Sequence, residues 1–282
     1  MTRSHHRLVP LVGLVSQSIK EELARRAVDG GESVDHLIRQ ALADFLRVDY
    51  ATLFQVSTAT AAARVEGLAT GEMTVGVLRT HGDHGVGTID GLNGEMVIVD
   101  GEAFQIRGDG SVARAEDAAL TPFALVTRFR AEIERSMDEC RRYGQLQQQL
   151  DEWRSSDRHF YAIRVEGRFE RIIVRGVQPA TEGLPPTEAG PNQDELRASN
   201  ISGVLAGFWS PAFVTAVGVP GYHLHFLDAS RRTGGHLVEV KGSNLKVSLQ
   251  RLDDFRVCLP ETAAYLAADL RLGPATEHPR DG

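Results

Sequence analysis

Residues 220–236, PGYHLHFLDASRRTGGH, contain three of the ten histidines of the 282-residue chain. Side chains two residues apart in a β-strand point to the same face, so His223 and His225 project together. The intervening segment turns the chain, and a turn centred on residues 230–231 places His236 directly opposite His225. Cross-strand neighbours lie about 5 Å apart at Cβ. The pattern therefore predicts a β-hairpin that brings three imidazoles to one point.

Three converging imidazoles are the ligand set of a catalytic zinc site, in which one coordination position stays open for water or substrate. The alternative is an ordinary hairpin, because a lone His-x-His is common in strands by chance. The third histidine in register favours the metal site, with Zn²⁺ as the expected ion.

Composition narrows the class of protein further. The formal net charge of −7 argues against a general nucleic-acid binder. Two cysteines cannot build a disulfide framework, which favours a reducing, cytoplasmic compartment. No apolar run approaches the roughly 18 residues that a membrane span needs. Residues 1–18 have a basic start and a short apolar stretch, but Pro10 interrupts it and no A-x-A site follows. A strand is therefore favoured there over a signal peptide.

Asn-Gly, Asp-Gly and Gly-Asp-Gly turns link several strand-like segments in the middle of the chain. Many hairpins with a few helices predict an α+β fold with mixed or antiparallel β-sheets. Within it we expect a strand over 71–80, a long polar helix over 131–153 and a hairpin around Glu166 and Gly167. A short β-α-α module should precede this fold, with a strand over 8–15 and helices capped by Ser18 and started by Ser33. The expected domains are residues 1–48 and residues 49–282.

The segment GESVDHLIRQALADFL, residues 31–46, resembles the second helix of the ribbon-helix-helix dimerisation and DNA-binding unit. This resemblance implies a homodimer held by residues 1–48. That family reads DNA with polar or basic side chains of its strands, whereas LVPLVGLV, residues 8–15, is almost wholly apolar. Dimerisation is therefore favoured over DNA binding, and a helical pair packed on the main domain is the remaining alternative.

Several further segments occur in an order that matches one enzyme family. They are LFQVST, GEMTVGVLRTHGDHGVGTIDGLNGEMVIVDGEAFQIRGDGSV, TPFALVTRF, FYAIRVEGRF, GFWSP and VPGYHLHFLDASRRTGGHLVEV. Together they resemble the α-acetolactate decarboxylases over about residues 52–272. The resemblance implies a zinc-dependent carbon–carbon lyase that converts 2-acetolactate to acetoin and carbon dioxide, a step of acetoin biosynthesis in the butanediol pathway.

The resemblance also implies roles for particular residues. The zinc ligands would be His223, His225 and His236; the catalytic residues Glu95, Arg175 and Glu277; and the substrate pocket Thr88 and Leu92. Gly176 stands where the family commonly has threonine after the arginine, so Arg171 is kept as the alternative to Arg175. Glu277 is carried over as the only glutamate of the tail GPATEHPRDG.

Loss of carbon dioxide from acetolactate leaves two electrons on the central carbon. A zinc ion chelated by the hydroxyl and ketone oxygens would accept them as an enediolate, and protonation on one face would give a single acetoin enantiomer. We expect Arg175 to orient the carboxylate and Glu95 to manage the hydroxyl proton. One alternative is a ligand-sensing or DNA-binding regulator that reuses the fold as an effector domain. Another is a zinc enzyme of the same fold that acts on a different 2-hydroxy-3-oxo acid.

Overall fold

The computed structural model describes residues 12–30, 33–46, 51–57, 70–177 and 195–267. The chain forms two compact units, Met1–Tyr50 and Ala51–Gly282. Among the described residues, no helix is long and apolar enough to cross a membrane.

The first unit contains two helices, α1 (Gln17–Gly30) and α2 (Val34–Leu46). The Ser16 hydroxyl accepts a hydrogen bond from the Ile19 backbone N–H at 3.3 Å, so Ser16 caps α1 and the predicted cap at Ser18 is wrong. Residues 12–16 form no strand, while residues 8–11 of the predicted strand lie outside the described residues.

The second unit contains the remaining elements. Its first strands are β1 (Thr52–Ser57), β2 (Met73–Thr74), β3 (His84–Thr88), β4 (Glu95–Val99), β5 (Glu102–Ile106), β6 (Val112–Arg114), β7 (Leu120–Thr121) and β8 (Phe123–Thr127). The later strands are β9 (Ile133–Cys140), β10 (Phe160–Arg175), β11 (Glu195–Ser210), β12 (Gly221–Asp228), β13 (Gly234–Leu252) and β14 (Asp254–Cys258). The helices are α3 (Val75–Thr80), α4 (Tyr143–Trp153) and α5 (Ala263–Ala267), with short 3₁₀ turns at Asp90–Leu92 and Ala212–Ala216.

Two large sheets organise this unit, and β2 and β7 form a third sheet of two strands. The seven-stranded sheet has the order β14-β1-β8-β3-β4-β5-β6 and is mixed, because β1 and β14 are parallel while its other pairs are antiparallel. The five-stranded sheet has the order β10-β11-β12-β13-β9 and is antiparallel. Because β10 also pairs with β13, the pairings of β10 to β13 close into a ring. The predicted α+β class is confirmed.

Apolar side chains of the two sheets pack face to face. Val97 and Ile106 of the seven-stranded sheet belong to one buried cluster with Val204 and Leu227 of the five-stranded sheet. On the other side of the five-stranded sheet, α4 buries Leu146 and Leu150 in a second cluster. The five-stranded sheet is therefore covered on both faces, and one of its faces is turned towards β3 and β4.

Three predicted elements are wrong. Residues 75–80 form helix α3 because the Thr74 hydroxyl accepts from the Val77 N–H at 3.3 Å and caps it, so only Met73–Thr74 of that segment is strand. The predicted helix over 131–153 divides into strand β9, which pairs with β13, and helix α4. The predicted hairpin at Glu166 and Gly167 is instead one strand of 16 residues, β10, whose register with β13 shifts after Glu166.

Candidate metal centre

Strands β12 and β13 form the predicted histidine hairpin. His225 is the direct cross-strand partner of His236, followed by the pairs Phe226–Gly235 and Leu227–Gly234. The predicted register is therefore confirmed. On the other side of β12, His223 pairs with Phe208 and His225 with Ala206 of β11, so the hairpin is fixed from both edges.

The carboxylate of Asp228 holds the hairpin turn. One of its oxygens accepts the N–H groups of Arg232 and Thr233 at 2.6 and 2.7 Å, and the other accepts the N–H of Ser230 at 2.9 Å and its hydroxyl. Burial alone would raise the pKa of Asp228, but these hydrogen bonds outweigh it and keep the pKa below its ordinary value. The carboxylate thereby takes up the backbone donors of a turn in which Arg231 has the left-handed φ of 58°.

The three imidazoles come together at the face of the hairpin. One ring nitrogen from each of His223, His225 and His236 lies within 4.8 Å of the others. The Nε2 atoms of His223 and His225 are 3.0 Å apart. Phe123 of the seven-stranded sheet stacks on the His223 ring, with centroids 6.0 Å apart and an angle of 23° between the planes.

Burial keeps these three rings neutral. It lowers the pKa of His223 to about 4 and that of His236 to about 3, and it holds the pKa of His225 well below its usual value. The charge of Arg175 lowers all three further. Neutral imidazole is the form that binds a metal ion. The Nδ1 atom of His225 is 2.9 Å from the Met96 carbonyl, an outer contact that leaves Nε2 available as the ligand atom.

Glu95 and Thr88 reach the same place from the facing sheet. They are direct partners at the end of the β3–β4 pair, and a Glu95 carboxylate oxygen lies 3.5 Å from His225 Nε2. Burial raises the pKa of Glu95 to about 8, while the charge of Arg175 opposes that rise. The buried Thr88 hydroxyl has no hydrogen-bond partner among the described residues. Since buried polar groups are normally paired, this hydroxyl is available to a ligand.

Arg175 closes the centre from β10. It is the last residue of that strand and the direct partner of His236. Arg171 lies four residues earlier in the same strand, opposite Lys241 and Ser199. The structure therefore places Arg175, rather than the alternative Arg171, beside the histidines. Leu92 lies in the 3₁₀ turn that joins β3 to β4, with a φ of 52°. Glu277 lies outside the described residues.

Three residues that contact or support the histidine cluster were not predicted from the sequence. Met96 acts through its backbone carbonyl and Phe123 through stacking across two sheets, neither of which leaves a motif. Asp228 could have been found, because an Asx turn commonly begins with aspartate at the end of a strand.

The fold and the centre define a mixed α+β protein with a buried three-histidine site open to a glutamate and an arginine. The family model described as alpha-acetolactate decarboxylase matches residues 53–272. The chain is 38% identical over 219 residues to the alpha-acetolactate decarboxylase of Methylococcus capsulatus, covering 77% of this chain and 84% of the relative. It is 37% identical over 220 residues to that of Methanosarcina mazei, covering 77% and 75%.

A solved structure agrees with these sequence matches. The crystal structure of alpha-acetolactate decarboxylase from Bacillus subtilis strain 168 superposes with a TM-score of 0.74 at 28% identity, covering 78% of this chain and 93% of that chain. The chain belongs to the alpha-acetolactate decarboxylase family. The predicted family is thus confirmed, and with it the enzyme class, a decarboxylase of this family.

Proposed function

We propose that the chain is a zinc-dependent decarboxylase that converts 2-acetolactate to acetoin and carbon dioxide. The convergence of His223, His225 and His236 carries this proposal. Their donor set suits zinc, because three neutral imidazoles with a free fourth position are typical of catalytic zinc sites. The contact of His225 with the Met96 carbonyl supports the same reading, since metal-binding histidines are commonly oriented through their second nitrogen.

The chemistry requires a place for an electron pair. When the bond between the carboxylate carbon and the central carbon breaks, carbon dioxide leaves and both electrons stay on the substrate. A bound zinc ion would supply Lewis acidity at the substrate oxygens during this step. A proton must then be added to the central carbon to give acetoin, so the balance needs one proton and no oxidant or reductant.

The roles of the chain's own residues follow from their positions. The Arg175 guanidinium orients the substrate carboxylate before it leaves, since it stands across from His236 and carries the charge that a carboxylate needs. The Glu95 carboxyl group accepts or donates the hydroxyl proton, since it faces His225 from the opposite sheet. Thr88 offers an unpaired buried hydroxyl to the substrate. Leu92 contributes to the apolar wall of the pocket, and Glu277 stays a predicted catalytic residue.

An assay with a matched control tests this proposal. Purified chain loaded with zinc is incubated with racemic acetolactate and acetoin is followed, with and without a zinc chelator. His225→Ala should weaken zinc binding by more than about 100-fold and abolish acetoin formation. His81→Ala is the control, because His81 stacks on Phe54 with ring centroids 3.7 Å apart and is not part of the cluster. Acetoin formed no faster than it arises spontaneously would overturn the proposal. If the chain turns over a different 2-hydroxy-3-oxo acid and not acetolactate, the proposed zinc dependence stands and the proposed substrate is wrong.

The role of residues 1–48 stays a prediction, namely that they hold a homodimer. Helix α2 exposes Ile38, Leu42 and Phe45, and α1 exposes Ile19 and Val28. Exposed apolar residues at helical spacing are typical of helices that bind a partner.

A further inference from the structure

The turn between β5 and β6, Arg107–Ser111, contacts the active-site end of the five-stranded sheet, and we call it the clamp turn. It has its own hydrogen bonds: Arg107 N–H to the Ser111 carbonyl at 2.9 Å, Gly110 N–H to the Arg107 carbonyl at 2.8 Å, and Ser111 N–H to the Asp109 carboxylate at 2.9 Å. Gly110 has a φ of 78°. The clamp turn is therefore a defined loop with one left-handed residue, and Gly108 and Gly110 are buried in it.

The clamp turn meets β13 just before His236. The Gly234 N–H donates to the Gly110 carbonyl at 3.1 Å, and Ser111 forms an antiparallel bridge with Thr233. These contacts fix Gly234, the first residue of β13, and Thr233 before it, which lie two and three positions from His236. Both contacts are made by backbone atoms, so no side-chain motif in the sequence predicts them.

The clamp turn meets β10 just after Arg175. A Cβ atom on Gly176 would lie 2.5 Å from the Gly108 carbonyl oxygen, 2.6 Å from Gly108 Cα and 2.8 Å from the Arg107 carbonyl oxygen. Ordinary van der Waals contact begins at 3.4 Å, so the shortest of these distances is about 0.9 Å too short. Gly176 thus lets the clamp turn lie directly on the backbone that follows Arg175.

The same turn is tied to the glutamate on the opposite side. Ile106, the residue before the clamp turn, is the cross-strand partner of Glu95. Beside Arg175, a Cβ atom on Gly235 would lie 2.8 Å from the Arg175 carbonyl oxygen, which shows how tightly this pair of strands is packed. One short turn thereby connects β5, the strand paired with that of Glu95, to the strand ends that carry Arg175 and His236.

We propose that the clamp turn positions Arg175 and His236 against Glu95, and that Gly176 is the positioning residue that allows its contact with β10. This inference rests on the proposed function for the roles of the three site residues. Its structural basis is independent of substrate identity. A methyl group at position 176 must push the clamp turn and the end of β10 apart, which displaces Arg175 and releases the hydrogen bond that anchors Gly234.

Gly176→Ala tests the proposal, with Gly144→Ala as the matched control. Gly144 lies in α4, where a Cβ atom would approach only the flexible Arg142 side chain, at 2.9 Å. Zinc affinity is measured by competition with a chromogenic chelator, and acetolactate turnover gives kcat and KM separately. Gly176→Ala should bind zinc about 10-fold more weakly and lose about 100-fold in kcat/KM, while Gly144→Ala should match the parent chain in both.

A second variant protects the test against a folding failure. Asp109→Ala removes the exposed carboxylate that accepts from the Ser111 N–H and adds no atom. It should weaken zinc binding and lower kcat/KM by smaller factors, each still more than about twofold. Zinc affinity and kcat/KM within twofold of the parent chain in Gly176→Ala overturn the proposal. If Gly176→Ala does not fold, the same result in Asp109→Ala overturns it. If the parent chain binds zinc but forms no acetoin, the proposed function fails, while the comparison of zinc affinities still decides the role of the clamp turn.

Discussion

Replacement of Arg175 by alanine should lower kcat/KM strongly, whereas replacement of Arg171 should not. Both arginines are exposed residues on the same face of β10, four positions apart, which corresponds to about 13 Å along a strand. Of the two arginines, Arg175 is the one paired with His236, and its charge adds to the burial that lowers the pKa values of the three histidines. The two variants therefore change the same residue type in the same strand at different distances from the site.

The size of the effect follows from the contact that is lost. A hydrogen bond that involves a charged group contributes about 1.5–3 kcal/mol, which corresponds to a fall of roughly 10- to 100-fold in kcat/KM. Arg175→Lys should retain part of the activity, because lysine keeps the charge but not the bidentate geometry.

The assay is steady-state acetoin formation by zinc-loaded variants, with zinc content and circular dichroism checked for each. Arg171→Ala should lie within about twofold of the parent chain, as is typical of an exposed side chain away from the site. Full kcat/KM in Arg175→Ala, or an equal loss in Arg171→Ala, would refute the role proposed for Arg175.

Four other predictions concern stability and assembly. The free energy of unfolding of the zinc-free chain should fall as the pH is lowered from 6.5 to 4, because the unfolded histidines bind protons there and the buried ones do not. The free energy of unfolding should also fall as the pH rises from 6.5 to 8, since Glu95 with a pKa of about 8 stays protonated only in the folded chain. Urea titrations across pH 4.5–8 measure this free energy, and the absence of a maximum near neutral pH would contradict both predictions. Asp228→Ala should cost about 3 kcal/mol of unfolding free energy and weaken zinc binding, because it leaves three backbone N–H groups of the hairpin turn without their acceptor; unchanged thermal unfolding would count against this. Deletion of residues 1–48 should convert a dimer to a monomer, as judged by light scattering, with activity retained. If the ratio of the mass in solution to the mass of one chain is the same before and after the deletion, the dimerisation prediction is wrong.

The histidine register could be predicted because it depends on local geometry alone. A two-residue alternation and a tight turn decide which side chains face each other, and both can be counted along a single hairpin. The pairing of His225 with His236 follows from that count. The contact of His225 with the Met96 carbonyl, across 129 residues of sequence, depends on how two sheets pack and has no local signal.

The incorrect elements fail for a related reason. The segment of β9, IERSMDEC, has charged residues at a spacing that also suits a helix, and its pairing with β13 decides the outcome. In β10, Glu166 and Gly167 have the composition of a turn. There the chain absorbs Gly167 through a register shift against β13, because β11 continues straight past it. Tertiary pairing overrides local propensity in both strands.

Gly176 illustrates how a departure from a family pattern can mislead a reading of one position. In the sequence, a glycine in place of the common threonine weakens the assignment of Arg175 and keeps Arg171 in consideration. In the structure, the space that a side chain would need at position 176 is filled by the backbone of Arg107 and Gly108. Glycine at position 176 therefore allows two backbone segments to lie in close contact. Its presence does not argue against the assignment of Arg175. Since Arg175 pairs with His236 and Arg171 does not, the departure gives no reason to move the predicted role from Arg175 to Arg171.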